Sequence, residues 1–169
     1  TQGVSSAASD VYKRQDLRFV DTPFGDEVSQ RLIAGVQQEY VIRYGSPDET
    51  PVDPAEFEVP DGVFVVAFLD DEPIGCAGLR RTDESAGPAD IELKRMFVRA
   101  EFRGRGFSRV LLDHIEQRAR EFGSSRLILE TGTVQPEAIG LYESAGYQPI
   151  PSFGYYAREP LNRCFAKSL

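Results

Sequence analysis

Residues 91–109 read as a buried strand, a glycine-broken basic turn and the first turn of an amphipathic helix, with nothing between them. A turn of this kind presents backbone N–H groups and the positive end of a helix dipole to an anion. Lys94, Arg95, Arg99, Arg103, Arg105 and Arg109 face only Glu101 between positions 94 and 109, in a chain whose net charge is −8. A basic island in an acidic protein reads as a phosphate seat.

The flanking pattern extends this unit into a layered fold. Strand signals fall at 17–20, 63–69, 74–79, 91–98, 126–130, 147–150 and 163–167, and helical spacing at 26–40, 107–122 and from Pro136 to the stop at Gly146. The four residues Asp70 to Pro73 predict a hairpin turn, and 82–89 a second polar turn. A long acidic, proline-rich loop fills 45–62, with a short helix expected near Pro54–Phe57. The early strands should pair antiparallel through tight turns, and the later ones parallel through helical crossovers. The expected fold class is mixed α/β: one domain over 16–169, with a central mixed sheet of six to seven strands and helices on both faces. Residues 1–15 are small, polar and aperiodic, and are expected to be a non-native or disordered leader.

Net charge −8 argues against a nucleic-acid binder, which needs a broad basic surface, and favours a cationic small molecule or peptide as partner. No run approaches the length of a membrane span, so neither a nucleic-acid nor a membrane partner is expected. Cys76 and Cys164 stand far apart without a CxxC or a histidine cluster. They are expected to be reduced core residues, as in a cytoplasmic protein, and no metal site is expected. His114, the single histidine, falls at the edge of an apolar helix face and is read as packing.

The turn Arg103-Gly104-Arg105-Gly106-Phe107-Ser108 fits neither of two better-known phosphate loops. A Walker loop needs Lys-Ser/Thr after its last glycine, where this chain has Phe107. A Rossmann fingerprint needs a third glycine where Arg109 stands. The turn does resemble the Gln/Arg-x-x-Gly-x-Gly/Ala signature of the GNAT superfamily of acyl-CoA N-acyltransferases, matched by Arg103, Gly106 and the small Ser108. A second block of that family, Asn-x-x-Ala-x-x-x-Tyr-x-x-x-Gly-Phe/Tyr, is met by Ala138, Tyr142, Gly146 and Tyr147, with Gln135 in place of the usual Asn.

The resemblance implies acetyl-CoA as cosubstrate. Its pyrophosphate would lie on the main chain of Gly104, Arg105, Gly106, Phe107 and Ser108, with Arg103 and Arg105 adding charge. Its pantetheine arm would lie beside Met96, Phe97 and Val98, in a splay opened by a β-bulge, and Gln135 would make a polar contact. Glu92, in an apolar strand six residues before Val98, matches the family's glutamate base. Tyr142 matches the tyrosine that protonates the leaving thiolate. The implied activity is direct transfer of an acetyl group to a primary amine of a small cationic molecule, by a monomer or homodimer. The first helix, the acidic loop and Tyr155–Tyr156 are expected to form the acceptor side. A non-catalytic acyl-CoA-sensing module and acetylation of a peptide or protein amine stand as alternatives.

Overall fold

The computed structural model describes residues 16–81 and 89–169. The expected leader 1–15 and, except for Ala89, the polar turn expected at 82–89 lie outside them. Seven strands, β1 (Leu17–Asp21), β2 (Gly62–Leu69), β3 (Glu72–Arg80), β4 (Asp90–Val98), β5 (Arg126–Gly132), β6 (Gln148–Ile150) and β7 (Asn162–Ser168), form one mixed sheet. Their order is β1-β2-β3-β4-β5-β7-β6. Helix α1 (Glu27–Tyr44) covers one face; α2 (Phe107–Glu121) and α3 (Pro136–Ser144) cover the other.

Strand β2 explains why its sequence is apolar without alternation. Val63, Val65, Ala67 and Leu69 enter the larger core with Leu111, Leu112 and Ile115 of α2, while Phe64 and Val66 enter a smaller core with Leu32 and Ile33 of α1. A strand covered on both faces has no solvent side to mark with polar residues.

Three expectations are corrected. Helix α1 runs one turn past the expected end at Tyr40, because Tyr40 and Tyr44 meet edge-on with ring centroids 6.1 Å apart. It starts at Asp26, whose side chain accepts from Val28 N, and ends at Gly45 with φ 83°. The β2–β3 hairpin closes through two residues rather than four: Asp70 and Asp71 have φ 48° and 70°, and Leu69 pairs with Glu72. Positive φ at both central positions is what a tight hairpin with right-handed twist demands. Pro73 is tolerated inside β3 beside the register shift that leaves Ile74 without a partner across from Ala67 and Phe68. Finally, β6 does not join β5. The C-terminal strand β7 inserts antiparallel between them, so β4–β5 is the parallel pair of the sheet.

Two features of β4 open the sheet. Its parallel pairing with β5 covers Asp90, Ile91 and Glu92 against Arg126, Leu127 and Ile128 and goes no further. On its other side, Cys76 of β3 pairs with Phe97 and Gly78 with Lys94, so one residue of β3 spans Arg95 and Met96 of β4. That is a β-bulge, and Arg95 takes the extra turn with φ 56°. The bulge bends β4 away from β5, producing the splay that the family resemblance implied.

Candidate functional site

The splay is the mouth of a cleft of 430 Å³. Leu93, Lys94, Arg95 and Met96 line it from β4, and Leu129, Glu130, Thr131 and Gly132 from β5. Tyr142 and Gln135 close it from α3, Tyr40 and Tyr44 from α1, and Asp48 and Tyr156 from the loops. Beyond Glu92 and Ile128 the facing strand edges do not hydrogen-bond to each other. An extended ligand carrying amides can therefore take the place of a strand.

Tyr142 reaches Met96, its Oη 3.9 Å from the Met96 sulfur, and burial pushes its phenol up from the ordinary value near 10. Gln135, at the N-cap of α3, donates from Nε2 to Tyr44 Oη at 2.8 Å. Gly132 allows that approach, since a Cβ there would overlap the Tyr44 hydroxyl.

Glu92 sits one step back. It is buried and does not line the cleft. Its Oε2 accepts from Arg80 Nε at 3.1 Å, and its Oε1 lies 3.5 Å from Lys94 Nζ. Lys94 Nζ also lies 3.1 Å from Glu130 Oε1, and Arg80 Nη1 donates to Glu56 at 2.8 Å. Side-chain exposures of 9%, 4%, 4% and 10% along Arg80, Glu92, Lys94 and Glu130 make this row of alternating charges a buried one. Buried ion pairs persist when every charge has a partner, as here. Of this row's carboxylates, Glu130 is the one that meets the cleft, and the sequence offered it only as the end of a short apolar strand.

At the other end of β4 the chain turns through Gly104 and Gly106, with φ 71° and 85°, into α2. The helical ladder begins with Arg109 N and Val110 N, both donating to Gly106 O, so the amides of the turn precede it. A Cβ on either glycine would meet no protein atom within 4 Å, which leaves the outer side of the turn open to a ligand. Phe107 is buried in the core as the anchor of α2, and Ser108 is half-buried beside it.

The arginines are less available than the sequence suggests. Arg103 donates from Nε to Val98 O at 2.7 Å, pairs with Glu39 and lies over the Phe97 ring. Arg105 stacks over Phe102 and Phe107, Arg99 pairs with Glu72 and Glu101, and Arg109 donates to Ser144. Val98 and Phe97 are packing residues, the first in the larger core and the second against the smaller one. Of the strand triplet, Met96 alone lines the cleft.

The acidic loop is largely occupied with the protein itself. Asp48 pairs with Arg95 and accepts from Thr50 N and Oγ1, Asp53 caps the short helix Pro54–Phe57, and Glu56 serves Arg80. Tyr156 lines the cleft and accepts from Glu49 N at 2.7 Å, whereas Tyr155 is exposed outside it. Arg95 and Asp48 have no local sequence signal. Only the bulge turns one inward, and only the tertiary pairing brings the other to it.

Both cysteines are buried free thiols, and His114 stacks on Phe19 at 4.4 Å. Among the described residues, no helix is long and apolar enough to cross a membrane.

The chain matches the model of the Acetyltransferase (GNAT) family over residues 33–147. It is 34% identical over 149 residues to a protein named IAA acetyltransferase from Azospirillum brasilense, covering 88% of this chain and 95% of that one. A Klebsiella pneumoniae crystal structure, assigned provisionally as an acyl-CoA N-acyltransferase, superimposes with a TM-score of 0.73 at 27% identity, covering 90% of this chain and 97% of that one. A GNAT family acetyltransferase from Elizabethkingia anophelis, solved with acetyl-CoA bound, shares the fold at 18% identity and a TM-score of 0.62, covering 90% of this chain and 98% of that one.

Proposed function

Because the chain belongs to the GNAT acetyltransferase family, and is thus an acyl-CoA-dependent acetyltransferase, we propose that residues 16–169 are one domain moving an acetyl group from acetyl-CoA to a primary amine of a small molecule. The observation that carries this reading is the splay of β4 from β5 next to the glycine turn, with Tyr142 at its floor. The pyrophosphate rests on the turn from Gly104 to Ser108, where the helix dipole and backbone amides favour an anion. Arg103 and Arg105 contribute field rather than a direct grip, because their guanidinium groups already have neighbours. The pantetheine arm lies along Met96, Phe97 and Val98, its amides pairing with edges that β4 and β5 do not use on each other. Gln135 borders the arm from α3.

The amine nitrogen attacks the thioester carbonyl directly and expels the CoA thiolate. Tyr142 protonates that thiolate: burial keeps the phenol in its neutral, donating form. The incoming ammonium must first lose a proton, since its own pKa is near that of lysine, about 10.4. Glu92 and Glu130, joined by Lys94, form the accepting unit. Glu130 receives the proton at the cleft wall, and Glu92 holds Lys94 in place behind it. Two cations against four carboxylates, Asp48, Glu49, Glu130 and Glu159, give the cleft a net attraction for an ammonium group.

A thiol-release assay with acetyl-CoA over a panel of small amines tests this. Turnover with at least one class of primary amine is expected. Acetyl-CoA binding with no turnover for any amine would instead fit a binding module.

A further inference from the structure

Two residues that line the cleft each carry a buried polar atom without a hydrogen-bond partner: Arg95 Nε, a donor, and Glu130 Oε2, an acceptor. Buried polar atoms are nearly always paired, and leaving one unmade costs about 1–3 kcal/mol. The protein's own groups do not relieve either atom. Arg95 already pairs through Nη1 with Asp48, whose other oxygen takes both Thr50 bonds. Glu130 already receives Lys94 on its other oxygen. The two residues stand on opposite sides of the splay, Arg95 at the bulge of β4 and Glu130 on β5.

The conformation of Arg95 points the same way. A non-glycine residue at φ 56° carries strain of about 1–3 kcal/mol, which persists only where the surroundings hold it. Here it sets a nearly buried guanidinium into the wall of a cleft, where burial drags its pKa down against the opposing influence of Tyr40, Tyr156 and Glu130. An anion on Nε would relieve both the missing bond and the desolvation.

We propose that the acceptor is an amino acid, a molecule with a free amine and a carboxylate, whose carboxylate caps Arg95 Nε while its ammonium docks on Glu130 Oε2. This rests on the acetyl-transfer reading and names the substrate class for the same cleft. Glu130 takes one ammonium proton, the nitrogen lone pair forms the new C–N bond as the C–S bond breaks, Tyr142 gives its proton to sulfur, and the second nitrogen proton returns to the Tyr142 phenolate. The products are an N-acetyl amino acid and CoA. A polyamine meets the same site less well, because it carries no carboxylate to cap Arg95 Nε.

The test compares matched acceptors on the intact protein by thiol release: phenylalanine against phenethylamine, and ornithine against putrescine. The amino acid of at least one pair should show kcat/KM about 100-fold above its decarboxylated partner, since a site built to bond a polar group rejects the analogue lacking it. Arg95→Gln should bring that ratio down to within about threefold, and Arg95→Lys, which keeps charge without Nε, to an intermediate value. The wild-type ratio decides the matter even if neither variant folds. Amines without a carboxylate turning over as fast as the amino acids would overturn this inference and leave acetyl transfer standing. Calorimetric binding of acetyl-CoA with no turnover of either member of any pair would overturn this inference, and no turnover across the whole amine panel as well would overturn both.

Discussion

Glu92→Gln keeps the shape of the side chain and removes its charge from the middle of the buried row. Neither neighbouring cation is stranded, because Arg80 keeps Glu56 at 2.8 Å and Lys94 keeps Glu130 at 3.1 Å. What is lost is the charge on one bond of 3.1 Å and one contact of 3.5 Å. A bond to a charged group is worth about 1.5–3 kcal/mol, and breaking a buried pair outright costs about 3–5 kcal/mol. With second partners present, a loss of about 2 kcal/mol follows. For a domain of this length that lowers Tm by about 4–8 °C. The kinetic effect should be modest, about tenfold in kcat, through misplacement of Lys94. Glu130→Gln should do more, lowering kcat about 10²–10⁴-fold at neutral pH. That loss should shrink as pH approaches the amine pKa near 10, where the substrate deprotonates unaided. Thermal melts and thiol-release kinetics from pH 6 to 10 read both variants. If Glu92→Gln shows the large, pH-rescued loss while Glu130→Gln keeps wild-type kcat, the proton goes to Glu92 and the assignment by cleft geometry is wrong. An unchanged Tm for Glu92→Gln would refute the energetic account of the charged row.

Tyr142→Phe should lower kcat about 10²-fold or more. Because burial raises this phenol above its ordinary value, wild-type kcat should show no alkaline fall below pH 10; a fall near pH 8 that the Phe variant lacks would contradict the donor role. Gly106→Val puts a branched side chain at φ 85° on the open side of the turn, so CoA binding should weaken about tenfold by calorimetry, at a strain of about 1–2 kcal/mol. Equal affinity would place the pyrophosphate elsewhere. His114 is held below its ordinary value of about 6.5, first by burial and then by Arg118, and its Nε2 is buried without a partner. The unfolded chain therefore binds the extra proton: stability is intact above about pH 6.5 and is lost as pH falls through the folded-state value. Melts of His114→Phe should be flatter with pH across that window, and an unaltered slope would contradict the argument.

Much of the architecture could be read from local pattern. The glycine turn, the strands and the helix stops at Gly123 and Gly146 depend on backbone freedom and periodicity, which a short segment carries within itself. So does Tyr142, whose place on the stripe of α3 sets its inward direction. The insertion of β7 between β5 and β6 was not legible, because a strand's neighbour is chosen by packing of the whole sheet and not by its own residues. The end of α1 is a milder case, where one aromatic pair outweighed a fading apolar stripe.

Charge divides the two levels most sharply. From the chain alone, the basic island near Arg103 and the acidic loop near Asp48 looked like binding surfaces, since sequence counts charges without showing what they face. Folding spends many of them on one another: Arg103 on Val98 and Glu39, Asp48 on Arg95, Glu56 on Arg80. Local sequence thus determined the glycine turn and the place of Tyr142, whose geometry follows from neighbours in the chain. Only the tertiary structure decided which charged groups meet the cleft, because a single bulge at Arg95 and the end of β4–β5 pairing at Glu92 set which side chains are satisfied and which are left waiting.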